Sequence, residues 1–222
     1  MTIPTLIDKQ DTFEIVRDQI AAILKLEIIS QMALAVVAGK DPVEWDIRIF
    51  TERSNPFEQY LSDPVDQRPI VNIWYDNSNF PQNRGDTVAR QASETVYNID
   101  CYGYGSSKDE VGPGHIPGDR EAAFQVQKTI RLVRNILMAA EYAYLKLQGT
   151  VWQRWPQSVT VFQPQLDANQ IEKIVGARVA FSVTFNEFSP QVESNPLELV
   201  SVDVFRAETG EILLEADYDY TI

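Results

Sequence analysis

The single histidine, His115, is the first residue to consider for chemistry, because any catalytic triad or imidazole proton relay would have to use it. It lies in the sequence Gly-Pro-Gly-His-Ile-Pro-Gly, at residues 112–118, with no nucleophilic side chain next to it. Glycine and proline at this density predict a loop. We therefore interpret His115 as a solvated loop residue and not as a catalytic base.

A glycine-containing segment, Gly-Tyr-Gly-Ser-Ser-Lys at residues 103–108, follows a predicted strand and could in principle cradle a phosphate. Its spacing does not match the phosphate-binding loop, which ends in Gly-Lys-Ser/Thr and opens a helix. The residues that follow are again rich in glycine and proline. The segment is therefore predicted to be a loop without phosphate-binding function.

Acidic side chains are abundant, with 32 Asp and Glu residues, so two of them could face each other in a cleft by chance of folding. An acid–base hydrolase therefore remains an alternative, and it requires such a pair with at least one raised pKa. The acidic runs at residues 109–110 and 217–220 are more typical of solvated charge. We predict that the protein is not an enzyme and has no catalytic residues, cofactor or metal ligands.

Two tryptophans, Trp152 and Trp155, form the densest aromatic group, together with Arg154 between them. Packing over a sheet edge is the first interpretation, and an anchor at a protein–protein interface is the second. A carbohydrate-binding module is a third interpretation. In that module the tryptophans, with Tyr102 and Tyr104, would form a stacking platform.

The composition limits the classes of partner. The net charge of −13 argues against wrapping nucleic acid, since its 19 Lys and Arg residues are scattered. One cysteine, Cys101, excludes an intrachain disulfide framework and favours a reducing compartment. The N-terminus lacks a secretion signal, and charged residues interrupt the apolar stretch at residues 21–38, so neither secretion nor a membrane partner is expected.

Hydrophobic periodicity predicts an α+β protein with a single mainly antiparallel sheet, two long helices packed on one face, and a C-terminal β-hairpin extension. The domain is predicted at residues 1–190 and the extension at 191–222. The predicted helices cover residues 12–38 and 119–148. The predicted strands cover residues 45–50, 69–75, 95–104, 159–162, 175–185, 199–205 and 211–215, and loops are predicted at 51–68, 76–79 and 105–118.

The order of these elements resembles that of bacteriophage tail terminator proteins. The resemblance covers residues 12–189: a first helix, the strand Pro-Ile-Val-Asn-Ile-Trp at 69–74, the strand Val-Tyr-Asn-Ile-Asp-Cys-Tyr-Gly at 96–103 with its long loop, the helix at 122–147, and the strand at 177–188. It is a similarity of layout, without catalytic motifs. The small members of the family have no counterpart to the hairpin at 197–215.

The resemblance implies a homohexameric ring in the tail–neck region of the virion, assembled in the host cytoplasm. Such a ring binds the last ring of the tail tube protein, stops its polymerisation and offers a surface to head-completion and other neck proteins. DNA would pass through the acidic ring without sequence-specific binding. The hairpin would add contacts to a neighbouring subunit or to the sheath protein. Another neck protein, for head or tail completion, is the main alternative.

Two groups of residues are the predicted contact sites. The predicted interface residues are Trp152, Trp155, Val202, Val204, Phe205, Ile212 and Leu213. The predicted channel-facing or tube-facing residues are Asn79, Arg84, Lys108, Asp109 and Glu110, because polar loops between rigid strands often carry recognition.

Overall fold

The computed structural model describes residues 10–63, 65–81, 87, 90–110, 114–164, 174–188, 199–205 and 212–219. These residues form an α+β protein whose largest element is one mixed five-stranded sheet. The chain separates into two compact units, one spanning Ile7–Phe188 and another that contains Ser189–Ile222.

The main sheet has the strand order β1-β2-β3-β7-β6. Its strands are β1 (Arg48–Thr51), β2 (Ile70–Asn79), β3 (Arg90–Tyr104), β6 (Val151–Phe162) and β7 (Ile174–Phe188). Three of its four described pairs are antiparallel, as predicted for a mainly antiparallel sheet, but β1 and β2 are parallel, so the sheet is mixed. The connection between β1 and β2 contains a 3-10 turn (Pro56–Glu58) and the short helix α2 (Gln59–Ser62), and this length permits a parallel crossover.

The first helix, α1 (Thr12–Val37), begins at a capping box. The Asp11 side chain caps the first turn, and the Asp11 backbone N–H donates to Glu14 Oε2 at 3.0 Å. The helix stops before Gly39, whose φ of 68° is easily adopted only by glycine. The Tyr97 hydroxyl of β3 donates to the Phe13 carbonyl at 2.8 Å and so ties the start of α1 to the sheet.

The helix α3 (Gly118–Met138) is shorter than the predicted 119–148. After it the chain forms a 3-10 turn (Ala140–Tyr142). The cause is a residue of β6: Arg154 donates from Nη2 to the Ala139 carbonyl at 2.6 Å and from Nε to the Tyr142 carbonyl at 2.5 Å. These bonds satisfy carbonyls that a longer helix would have used itself.

Glycines near α3 allow the helix to lie unusually close to β3. A Cβ atom on Gly103 would lie 2.6 Å from the Ala122 carbonyl oxygen, and one on Gly105 would lie 2.1 Å from the Gly118 carbonyl oxygen. The glycine-rich segment that superficially suggested a phosphate cradle therefore has a packing role at the contact between helix and strand.

The hydrophobic core lies between the sheet and the two long helices. Alternate residues of β3, namely Tyr97, Ile99 and Cys101, face it, as the period of two in the sequence predicts. Buried residues of the same core on the other elements include Ile20, Leu24, Val71, Ile73, Val126, Val133, Val179, Phe181, Val183 and Phe185.

Several predicted loops form strands instead. Residues 76–79 continue β2, because β3 begins at Arg90 and supplies pairing partners as far as Asn79, which pairs with Glu94. β6 begins at Val151, eight residues before the predicted strand. In the loop predicted at 105–118, β4 (Lys108–Glu110) pairs with β5 (Gly114–Ile116). The predicted strand at 45–50 is confirmed at residues 48–50, which lie in β1, and it begins later than predicted because Trp45 ends a 3-10 turn (Pro42–Trp45).

In the C-terminal unit, β8 (Leu199–Phe205) pairs with β9 (Ile212–Asp219) in an antiparallel two-stranded sheet. Phe205 pairs with Ile212, and a register shift separates that pair from Val204.

Candidate functional site

The sheet face opposite the long helices is polar at its centre. There, a cleft of about 290 Å³ opens between β1, β2, β3 and β7. It is lined by Glu52, Arg53, Ser54, Asn72, Trp74, Asp100, Tyr102 and Arg178. A few convergent polar groups in a concave site can orient a ligand, so the bonds that these side chains already make decide what the cleft can do.

The charged centre of the cleft is a bidentate ion pair between Arg178 and Asp100. Arg178 donates from Nε to Asp100 Oδ1 at 2.7 Å and from Nη2 to Oδ2 at 2.9 Å. Trp74 Nε1 also donates to Asp100 Oδ2, at 2.9 Å, and the guanidinium lies 4.7 Å from the centroid of the Trp74 ring. The hydrogen bond to Asp100 is the largest cause of the raised pKa of Arg178. The two bonds to Asp100 therefore favour the charged guanidinium of Arg178.

The second carboxylate of the cleft, Glu52, also has hydrogen-bond partners within the protein. Its Oε1 accepts from Arg17 Nη1 at 3.2 Å and from the Tyr75 backbone N–H at 3.0 Å. Both carboxylates of the cleft accept hydrogen bonds from groups of the fold itself. The cleft thus has the chemistry of a structural polar network.

Burial raises the pKa of one carboxyl group elsewhere, Glu187, and the nearby Asp11 charge raises it further. This side chain bonds to Thr12 and Phe13 at the N-terminus of α1. The Glu187 side chain therefore stabilises the N-terminus of α1. Among the described residues, no group of three or more His, Cys, Asp or Glu side chains is placed to hold a metal ion.

The strand β6 lies at one end of the sheet and, among the strands the structure describes, pairs only with β7. It is 12 residues long and exposes four large apolar side chains, Trp152, Trp155, Val159 and Val161. Val161 is 66% exposed and Trp152 is 44% exposed. A long, apolar strand edge is a template for pairing with another chain. This edge, defined by those four residues, is the candidate interface.

The other predicted interface residues belong to the second unit. Val202, Val204 and Phe205 lie on β8, and Ile212 and Leu213 lie on β9. The predicted interface residues therefore lie in two separate units of the chain.

The predicted loop residues occupy strands where the structure describes them. Asn79 is the last residue of β2, and Lys108, Asp109 and Glu110 form β4. Their assignment to flexible loops is therefore wrong, because β3 and β5 pair with these segments. Arg84 lies outside the described residues.

The two tyrosines predicted for the stacking platform of a carbohydrate-binding module, Tyr102 and Tyr104, pack inside the protein. Tyr102 is buried, with its ring centroid 5.7 Å from that of Phe57 and 5.8 Å from that of Phe162. Tyr104 packs on Tyr60, with 5.4 Å between ring centroids. Both tyrosines therefore belong to a small second core.

Sequence reasoning missed the Asp100–Arg178 pair and a second exposed apolar surface, on α1. The pair could have been suspected from a charged residue at an alternating position in each of two strongly apolar strands, but their contact depends on the register of β3 against β7. The surface on α1 was detectable as apolar residues on both faces of one helix.

Comparison with known proteins identifies no relative: no protein-family model matches the chain, and no curated protein matches it. The geometry of the sheet and its edge therefore carries the functional argument, together with the similarity of layout.

Proposed function

We propose that this protein is a structural virion protein that assembles into a closed ring of six copies and caps the tail tube of a long-tailed phage. In this role it stops growth of the tube, and of the sheath where one is present, and offers a surface to the neck proteins. The observation that carries the proposal is the apolar edge of β6, which pairs on one side only among the described strands. The layout of helices and strands that resembles tail terminators supports it.

The end of the β6 edge, from Val159 to Phe162, lacks the features that keep a monomer's sheet edge from pairing. Soluble monomers protect long edges with lysines, prolines or bulges. β6 has Pro156 and two register shifts in its first half, but no lysine. Its one charged residue, Arg154, is bound to carbonyls at the end of α3. The second half, with Val159 and Val161, is left open to a partner.

A repeated contact of this kind can close a ring. One surface of each subunit binds a different surface of the next, and the rotation between them fixes the number of copies. Termination then follows from geometry, because one face of the ring matches the tube and the other does not. The net charge of −13 suits a channel through which DNA slides without being gripped.

The C-terminal strands are the partner that we propose for this edge. β8 or β9 of one subunit would add to β6 of the next, so that the pairing uses the predicted interface positions on those strands, Val202, Val204, Phe205, Ile212 and Leu213. A chain that ends at Ser194 should then lose ring assembly. Its circular dichroism spectrum should keep the signal of the folded sheet and helices. Normal capping of tubes by this truncated chain would refute the proposed pairing of the C-terminal strands with β6.

The proposal is tested by the mass of the protein in light scattering over a range of concentrations, with negative-stain imaging of the protein alone and with tail tubes. We expect rings of about six copies, single or joined in pairs, or such rings on tube ends only. The double variant Val159→Lys/Val161→Lys should lose them. Val43→Lys is the matched control, because it changes an exposed valine that lies outside β6.

Three outcomes distinguish the possibilities. Rings that cap tubes and require the apolar edge support the terminator function. Rings that ignore tubes but bind other neck proteins indicate a different neck component. A protein that is monomeric at every concentration and leaves tube length unchanged contradicts the proposal.

A further inference from the structure

The helix α1 is apolar on two opposite faces. Its inner face, with residues such as Val16, Ile20 and Leu24, is buried against the sheet. A helix at the surface of a folded protein normally turns a polar face to water. In α1 the outward face instead carries a line of apolar residues, which we call the outer stripe: Ala22, Leu26, Ile29, Ala33, Val36 and Val37.

The outer stripe is continuous and exposed. From Ala22 to Val36 its members follow one another at intervals of four, three, four and three residues, so they share an arc of roughly 100° on the helix. Ile29 is 66% exposed and Val37 is 86% exposed. No charged residue belongs to the stripe. It is therefore an extended apolar surface about 22 Å long, at the helical rise of about 1.5 Å per residue.

Length and composition alone would allow α1 to cross a membrane. Its inner face, however, contributes to the hydrophobic core together with residues of β2, β3 and β7, so the helix cannot be surrounded by lipid while the fold is intact. A net charge of −13 also opposes approach to anionic lipid. A protein surface is the occupant that remains consistent with this geometry.

We propose that the outer stripe is the docking surface for a second copy of this chain, with the two α1 helices packed antiparallel about a two-fold axis near Ile29. Exposed side chains of the stripe offer on the order of 600 Å² per copy, so the pair would bury roughly 1,200 Å², above the ~1,000 Å² expected of a specific interface. The large residues Leu26 and Ile29 alternate with Ala22 and Ala33, which leave room for them.

Charge at the ends of the stripe selects the antiparallel orientation. Asp18, which pairs with Arg17 at 2.9 Å and keeps 44% of its side chain exposed, lies one turn before Ala22, and Lys40 is exposed just beyond Val37. Antiparallel helices bring Asp18 of one copy beside the partner's Lys40 and set opposite ends of the helix dipoles side by side. Parallel helices would instead place the two Asp18 carboxylates together.

This pairing does not depend on the proposed ring function. α1 lies mainly over β1 and β2, with a smaller contact to β7, whereas the β6 edge lies at the other end of the sheet. The α1 contact is isologous and joins two copies, whereas ring closure uses a heterologous contact. Variants of the two surfaces therefore report on separate interfaces.

The first test compares the solution mass of the wild type with that of Leu26→Glu/Ile29→Glu, by light scattering. We expect the mass to fall twofold in the variant, whatever the number of copies in the ring. Circular dichroism and the melting temperature should stay close to wild type, because both side chains face away from the core. The matched control is Phe124→Glu on α3, which replaces another exposed apolar residue and should keep the wild-type mass.

The second test fixes the orientation by cross-linking. A tagged Ala22→Cys chain is mixed with an untagged Val36→Cys chain and treated with a short bis-maleimide. Antiparallel pairing predicts the mixed product, and Ala22→Cys alone should give little product. The native Cys101 is fully buried and should not react.

Unchanged mass in the Leu26→Glu/Ile29→Glu variant, or cross-linking of Ala22→Cys only to itself, would overturn the proposal. So would flotation of the wild type, but not of this variant, with vesicles of neutral phosphatidylcholine, since that result would assign the stripe to a lipid surface.

Discussion

Arg178 on β7 donates a hydrogen bond to each carboxylate oxygen of Asp100 on β3, from Nε to Oδ1 at 2.7 Å and from Nη2 to Oδ2 at 2.9 Å. The two partners differ in exposure: the Asp100 side chain is 4% exposed, whereas that of Arg178 is 39% exposed. Loss of one partner therefore has a different consequence from loss of the other, because only the arginine can recover its hydration.

We predict that Arg178→Met destabilises the protein by about 3 kcal/mol, because it leaves the buried Asp100 charge without its partner. Asp100→Asn should cost only about 1–2 kcal/mol, since Arg178 can reach solvent. Urea denaturation of both variants measures the difference.

The double variant Asp100→Asn/Arg178→Met should be more stable than Arg178→Met alone, because it removes the unpaired charge. A larger loss for Asp100→Asn than for Arg178→Met would contradict this account of the pair.

Close packing of α3 on β3 gives a second prediction, at Gly105. A Cβ there would lie 2.1 Å from the Gly118 carbonyl oxygen and 2.7 Å from the Ala122 nitrogen, and neither backbone atom can move without shifting the helix. We expect Gly105→Ala to cost about 2–3 kcal/mol in the free energy of unfolding.

The matched variant for this prediction is Gly39→Ala. Gly39 has a φ of 68°, but no atom lies within 4 Å of the position that a Cβ would take, so its substitution tests backbone conformation without crowding. It should cost only about 1 kcal/mol. Equal losses in the two variants would show that crowding at Gly105 is not the dominant effect.

The sequence predicted which residues of a strand face the core, because that property depends only on neighbouring residues. The alternation in β3 correctly separated Tyr97, Ile99 and Cys101, which face the core, from Asn98 and Asp100 on the other face. Such alternation is dictated by strand geometry alone. Register and strand partners are not local properties, and this is why the parallel pairing of β1 with β2 and the Asp100–Arg178 contact could not be read from the sequence.

The same distinction explains the errors at element ends. The apolar period of α3 continues beyond Met138, but Arg154, which is distant in sequence, binds the carbonyls of Ala139 and Tyr142. Likewise, Asn79 is polar enough for a turn and becomes part of a strand only because Glu94 lies opposite it. At the candidate sites, the sequence identified Trp152 and Trp155 as interface candidates but could not show which face of α1 the sheet leaves uncovered.

An acid-sensitive ion-pair network gives a third prediction. Asp66 accepts from Arg68 Nη2 at 2.6 Å and lies 3.2 Å from Arg48 Nη1. The hydrogen bond from Arg68 is the largest cause that lowers the pKa of Asp66 to about 2. Because the folded-state pKa lies below the ordinary value, the carboxylate stabilises the fold above about pH 4, and this contribution is lost as the pH falls towards 2.

We therefore expect Asp66→Asn to lower the free energy of unfolding by about 1 kcal/mol at pH 7, as for a partly exposed network. The difference between wild type and variant should shrink between pH 4 and pH 2. Denaturant titrations at several pH values measure it, with Asp76→Asn, which changes an exposed carboxylate on β2, as the control. A difference that persists unchanged at pH 2 would rule out the ionised carboxylate as its source.

The buried thiol of Cys101 gives the last prediction. Burial is the largest cause that raises its pKa, and the neighbouring Asp100 charge raises it further, so the reactive thiolate is strongly disfavoured in the folded state. Modification by a disulfide reagent at pH 8 should require unfolding and should be at least about a thousandfold slower than for an exposed thiol, given typical domain stability. In a Val43→Cys variant, whose new thiol is exposed, we expect one fast thiol and one slow one. The slow rate should rise with urea in step with global unfolding, whereas two fast thiols in the native variant would mean that the contact between α3 and the sheet opens locally.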